Sequence, residues 1–185
     1  MILVILRHGQ PDFSQTGLMS SAEFKDWVRN YDESSIMSSS KPSSQLYDLA
    51  KSSGLVVCSS LRRSVDSGEL LKDSGQILID SVFNEAGLPT NDWCCVKLTS
   101  NLWLITLRIL WFLGYSPNAE SRKEASVRAK KAARLLNELS KKHEVLMLVG
   151  HGIFNRLLDK ALLDIGWKVQ KGPQTNYWSY AVYEF

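Results

Sequence analysis

The sequence is short of cysteine, of histidine and of any strong excess of one charge, and each shortage removes a class of protein. Cys58, Cys94 and Cys95 are odd in number and form no Cys-x-x-Cys spacing, so no disulfide framework is indicated. Adjacent cysteines rarely pair, and a reduced, cytoplasmic chain is the expectation. The net charge of +3, from 22 basic and 19 acidic residues, is too weak for a nucleic-acid surface, and no basic cluster carries interleaved aromatics. It is compatible with an anionic ligand. Long hydrophobic runs are missing too. The stretch from Leu102 to Tyr115 is apolar but short and contains Arg108, so no membrane span is expected. The first residues have no basic leader and only a brief apolar run, so no signal peptide is expected. No repeat and no second domain are visible, and 185 residues suit one domain with a substantial core.

What is present begins with a buried-strand pattern. Ile2-Leu3-Val4-Ile5-Leu6 is short and rich in β-branched residues, and it ends in Arg7-His8-Gly9. A second run, Val145-Leu146-Met147-Leu148-Val149, ends in Gly150-His151-Gly152. Two of the chain's three histidines therefore occupy matched strand ends. Between them, Leu55-Val56-Val57-Cys58 ends in Ser59-Ser60-Leu61-Arg62-Arg63.

Helical patterns separate these strands. Ser20 or Ser21 can cap a helix with Phe24, Trp27, Val28 and Tyr31 on one face. A serine-rich stretch over 34–44 reads as a solvated loop, and a short helix follows over Gln45–Ser52. A helix after Arg63 runs to Lys72, Ile77–Ile79 is a brief strand, and 80–100 is irregular. Helices are predicted over Asn101–Leu113 and Ser121–Lys142, with Gly114 to Pro117 between them, and another over Phe154–Ile165. Tyr177–Phe185 reads as a last strand. Strands alternating with helices predict an α/β domain, a three-layer sandwich with a mostly parallel sheet flanked by helices.

In such sheets ligands bind beyond the carboxyl ends of the strands. Neighbouring strands would bring Arg7, His8, Arg63 and His151 into one crevice. Two guanidiniums and one imidazole can surround a phosphate, while the other imidazole attacks phosphorus. Gly9 removes a side chain beside that imidazole and lets backbone approach a bound anion.

With these segments in view, the chain resembles the histidine phosphatase superfamily, also called the phosphoglycerate mutase-like family. Arg7-His8-Gly9 looks like its signature triplet, Ser59 to Arg63 like its second-arginine segment, and Gly150-His151-Gly152 like its second-histidine segment. The resemblance spans nearly the whole chain. It implies that His8 is a nucleophile forming a phosphohistidine, that Arg7, Arg63 and His151 hold the phosphoryl group, and that no cofactor or metal is needed. It also implies a carboxylic acid after the second-arginine helix. Glu85 is the candidate there, with Asp12 as the rival. His8 should be neutral and His151 cationic, with separated pKa values.

Two departures from the family pattern stand out. Ser64-Val65-Asp66-Ser67 replaces a frequent Ala-x-Gln-Thr, and Gly87-Leu88-Pro89-Thr90 replaces Gly-x-Trp-Glu-Gly. The long insertions of the mutases are missing, which favours a phosphatase. A phosphoglycerate mutase-type transferase and a non-catalytic phospho-ligand module are the alternatives. A small phosphorylated substrate or a phosphoprotein is the expected partner, covered by residues 10–44 and 86–118. Trp93 and Trp103 flank that side, and one of them is expected to line the pocket.

Overall fold

The computed structural model describes residues 1–72, 75–90 and 96–185. Its centre is a six-stranded sheet: β1 (Ile2–Arg7), β3 (Leu55–Cys58), β4 (Ile77–Ile79), β6 (Val145–Gly150), β7 (Lys168–Lys171) and β8 (Tyr180–Glu184), in the order β4-β3-β6-β1-β8-β7. The first four in that order pair in parallel, and β8 is antiparallel to both neighbours. The sheet is mostly parallel, as the alternating pattern predicts.

Side-chain alternation assigns each strand residue to a layer. Leu3, Ile5, Val57, Leu146 and Leu148 face a core closed by α5 (Arg122–Ser140) and α6 (Gly152–Asp164). Val4, Leu6, Val56, Met147 and Val149 face the other side, closed by α2 (Ser44–Ser52) and α3 (Arg62–Leu71). Burial on both faces is why these strands read as unbroken apolar runs. On the second side, Gly68 lets α3 lie against β3, because a Cβ there would collide with Cys58 Sγ. Burial pushes the Cys58 thiol up to about 12, consistent with an inert packing role.

A smaller unit stands beside the sheet. α1 (Ser21–Glu33) and α4 (Ser100–Phe112) pack through Phe24, Trp27, Trp103 and Leu107, with Met19 between them. A two-stranded ribbon, β2 (Leu18–Ser20) with β5 (Lys97–Thr99), joins their N-terminal ends. Ser20 and Glu23 form a capping box at α1, and Ser121 and Glu124 form one at α5. Trp103 Nε1 donates to the Met19 carbonyl at 2.8 Å, which turns Trp103 into the core.

Several boundaries differ from expectation. β2, β5 and β7 have too few apolar residues to announce themselves, and they form by pairing with a neighbour. α6 begins at Gly152 rather than Phe154 because His151 is its N-cap. β8 begins at Tyr180, since residues 172–179 arch over the sheet edge instead of extending it. Glu120, just before α5, pairs with Arg128 at 2.6 Å. Asp92, Trp93, Cys94 and Cys95 lie outside the described residues. No helix among the described residues is long and apolar enough to cross a membrane.

Candidate active site

The parallel register aligns the strand ends. Arg7 of β1 pairs with Gly150 of β6, and Cys58 of β3 with Val149 of β6. Two side chains stitch these ends together. Ser64 Oγ donates to the Val149 carbonyl at 2.7 Å and accepts from the Ser59 N–H at 3.0 Å. Asn155 Nδ2 donates to the Leu6 carbonyl at 3.1 Å, and its Oδ1 accepts from the His151 N–H at 3.2 Å. Ser64 lies in the stretch that departs from the family pattern, so that departure supplies structure.

The aligned ends bring His8 and His151 together, with ring centroids 4.9 Å apart. His8 Nδ1 lies 2.7 Å from the Gly9 carbonyl, which can only accept, so Nδ1 carries the proton. Nε2 is then a lone pair, and it accepts from Arg63 Nε at 3.3 Å. His151 Nε2 lies 2.6 Å from Ser59 Oγ. That hydroxyl also accepts from the Leu61 N–H at 3.3 Å. His151 Nδ1 is buried and without a protein partner, and it carries the proton in the tautomer in which Ser59 donates to Nε2.

Burial, then the Arg63 charge, pushes His8 down to about 3, with a smaller downward push from Arg7. Burial, then His8, Arg63, Arg7 and Arg128, pushes His151 well below its ordinary range. Both imidazoles are therefore neutral in the free site. The expected contrast between a neutral His8 and a cationic His151 is not what this environment imposes.

The two arginines are held differently. Arg63 is 1% exposed, and its Nη1 donates to Asp32 Oδ1 at 3.1 Å and to the Tyr31 carbonyl at 3.2 Å. Its guanidinium also lies over the Tyr31 ring. Arg7 donates to the Thr175 carbonyl and stacks on Tyr177, while its Nε is buried without a partner. The 172–179 arch thus covers one side of the arginine. Trp178 in that arch has φ 61, a strained value for a bulky residue. It is held by a 3.1 Å bond from its N–H to the Arg7 carbonyl and a 2.8 Å bond from Nε1 to Ser40. A Cβ at Gly9 would sit 2.6 Å from this indole, and the Gly9 N–H already donates to Ser67 Oγ at 2.9 Å. The indole, not an anion, occupies the space that glycine leaves, and the Gly9 N–H is engaged elsewhere.

Glu85 lines the same cavity but is docked on the start of α6. Its Oε1 accepts from Phe154 N–H at 2.7 Å and Ala86 N–H at 2.9 Å, and its Oε2 from Ile153 N–H at 3.1 Å. The segment before it is clamped by Arg128, whose Nη1 donates to the carbonyls of Val82 and Asn84, both at 2.8 Å. Asp12 is exposed and does not line the cavity. Asp32 does, and sequence reading missed it; its only signal was a place one turn beyond Val28 on a predicted helix. Burial raises the Asp32 carboxyl above its ordinary value, against the opposing pull of Arg63.

The cavity above His8, Arg7 and Arg63 holds about 570 Å³. Its walls come from α1, α4 and residues 84–88, within or beside the two stretches expected to cover a substrate. Trp27 contributes to the wall, whereas Trp103 is fully buried behind it. Among the described residues, no group of three or more His, Cys, Asp or Glu side chains could hold a metal ion.

Solved structures share this architecture. The mycobacterial glucosyl-3-phosphoglycerate phosphatase superposes with a TM-score of 0.61 at 20% identity, over 98% of this chain and 88% of that one. The chain shares the phosphoglycerate mutase-like fold of these structures. The alpha-ribazole phosphatase of Shigella flexneri aligns at TM-score 0.58 and 15% identity, over 98% and 89% of the two chains. An open reading frame product of Mycobacterium tuberculosis aligns at 0.62 and 17%, over 100% and 91%. No family model and no curated protein matches the sequence.

Proposed function

We propose that this chain is a histidine phosphatase that hydrolyses a small phosphomonoester through a phosphohistidine on His8, with no cofactor. The observation that carries the reading is the state of His8. Its Nδ1 proton is locked on the Gly9 carbonyl, and its Nε2 lone pair points to Arg63, accepting a long 3.3 Å bond that an incoming phosphoryl group would replace. A neutral, oriented imidazole among cations is a nucleophile prepared for an anionic phosphoryl group. The structural neighbours named as phosphatases add support from outside the chain.

In the first step His8 Nε2 forms a bond to phosphorus while the ester oxygen leaves and takes a proton from a carboxyl. Arg63, Arg7 and the His151 Nδ1 proton stabilise the charge on the equatorial oxygens. Arg7 Nε and His151 Nδ1, both buried without partners, gain acceptors from these oxygens. In the second step water attacks phosphorus, gives its proton to the carboxylate and releases phosphate, restoring His8.

Glu85 is the proposed proton donor. Its Oε2 has a single N–H partner and lies 3.9 Å from where a Cβ of Gly152 would stand, beside the Arg7 guanidinium. Asp32 is the second reading, favoured by its raised pKa and its place against Arg63. A phosphate that takes over Arg63 would strip Asp32 of its partner and raise it further.

Acid-quench trapping of a phosphoenzyme from an aryl phosphate tests the nucleophile. Wild-type phosphoenzyme or turnover in His8→Ala would overturn it, and loss of activity on chelation would overturn the metal-free mechanism. The donor is tested by pairing a good and a poor leaving group. The variant lacking the donor, Glu85→Gln or Asp32→Asn, loses the poor leaving group by far more than the good one.

A further inference from the structure

The phosphate cradle forms the floor of its cavity, so the alcohol part of any bound ester must lie against the walls. Those walls are apolar: Trp27 and Val28 from α1 face Leu104, Ile105, Ile109 and Phe112 from α4. Of the polar side chains there, Asn84 and Arg108 already have partners. Asn84 Oδ1 accepts from Ser60 at 2.9 Å, and Arg108 donates to the Ala86 carbonyl at 2.9 Å while lying over Trp111. Trp27 Nε1 is a lone buried donor, a poor match for a polyol.

A second observation is independent of the cavity's interior. α4 is apolar on both faces. Its inner face buries Trp103, Leu107 and Trp111, while Leu102, Ile105, Ile109 and Leu113 stay exposed along its outer face. Ile105 and Ile109 belong to both the wall and the exposed stripe. Apolar side chains therefore extend from the cavity wall to the outside of the molecule. Contiguous exposed apolar surface of this kind marks a site of contact.

We infer that the site takes a phosphomonoester of a bulky apolar alcohol, an alkyl chain or a fused ring, and not a sugar phosphate or a nucleotide. The inference rests on the phosphatase reading only for the place of the phosphate. The cavity volume of about 570 Å³ suits a ligand with a tail of this kind. The tail gains affinity from area removed from water, so affinity should climb with chain length until the wall is covered.

Calorimetric binding of non-hydrolysable phosphonates tests this without requiring turnover. From ethyl- to octylphosphonate, Kd should fall about fourfold per added methylene while the chain remains in contact with the wall. A naphthylmethyl phosphonate distinguishes the ring from the chain, and a dihydroxypropyl phosphonate serves as the polar counterpart. Ile105→Asp and Ile109→Asp, at exposed positions that the fold should tolerate, should flatten the chain-length slope. A flat wild-type series, or a dihydroxypropyl compound that binds as tightly as octyl, overturns the inference. Turnover of the matching esters separates the two claims. A rising affinity with no hydrolysis refutes the phosphatase and leaves the apolar subsite standing. Hydrolysis that ignores the tail does the reverse.

Discussion

The floor and the wall of the cavity are built by opposite rules. The floor buries His8, His151 and Arg63 at the ends of three parallel strands, where side-chain and backbone hydrogen bonds set their positions. The wall is a satellite of α1, α4 and a ribbon of two three-residue strands, held by aromatic packing such as Phe24 on Trp27 and Trp103. Polar bonds fix the floor's side chains on strands buried in the apolar core, whereas the wall is held chiefly by apolar packing. On the proposed reading, reaction type resides in the part of the molecule with the most polar constraint, and selectivity in the part with the least.

The largest effect that would sharpen this contrast is at the proposed nucleophile. His8→Ala should reduce kcat on an aryl phosphate by on the order of 10⁴-fold or more, the scale seen when a covalent nucleophile is removed, with an unchanged unfolding midpoint as the control that the floor needs no imidazole to fold. A variant that loses stability along with activity would break the contrast.

Removing a wall residue should do the opposite. Trp103→Ala empties a fully buried site and should cost about 3–5 kcal/mol in urea unfolding. Inorganic phosphate should still bind the folded fraction, because the floor's hydrogen bonds do not pass through Trp103. Loss of phosphate binding in protein that remains folded would show that wall and floor are one unit.

Acid should act on the floor first. His8 and His151 are held neutral when folded but titrate near 6.5 when unfolded, so below that pH the unfolded chain binds more protons. Stability is full above about 6.5 and is lost as pH falls toward the depressed folded values, by up to about 1.4 kcal/mol per pH unit for each histidine. Denaturant midpoints between pH 7 and pH 5 measure this slope, and His8→Asn should reduce it. The same depression predicts that kcat/KM of the free enzyme shows no acid limb near 6.5. A limb there that stays in place when the substrate's own second pKa, about 6, is changed would mean that His8 is open to water.

The smallest effect lies at the wall's edge. Ser20→Ala removes the α1 cap and its box with Glu23, and should cost about 1 kcal/mol. The cost should appear as thermal destabilisation, with kcat on a small phosphomonoester unchanged.

The strands of the floor could be read in advance because burial on both faces leaves an unmistakable apolar run, and their polar ends follow directly in sequence. Arg7, His8, Arg63 and His151 were legible for that reason. Asp32 was not, because an acid on an amphipathic helix looks the same whether it faces water or an arginine 31 positions away. Asn155 and Ser64 were hidden likewise: each stitches strands that are far apart in the chain. The ribbon of β2 and β5 and the edge strand β7 escaped because three or four residues carry no period to detect.

By itself, then, the sequence determined the α/β alternation, the sheet's central strands and the chemical types at their ends, since these depend on local pattern and on which side chains follow a buried run. Tertiary structure alone decided the protonation pattern and the shape of the site. The tautomer of His8 depends on a carbonyl and a guanidinium brought within bonding distance, the neutrality of both histidines on burial beside arginines, and the apolar wall on two helices distant in sequence meeting above the cradle. Each of these is a property of distance and dielectric, which take values only once the chain has closed on itself.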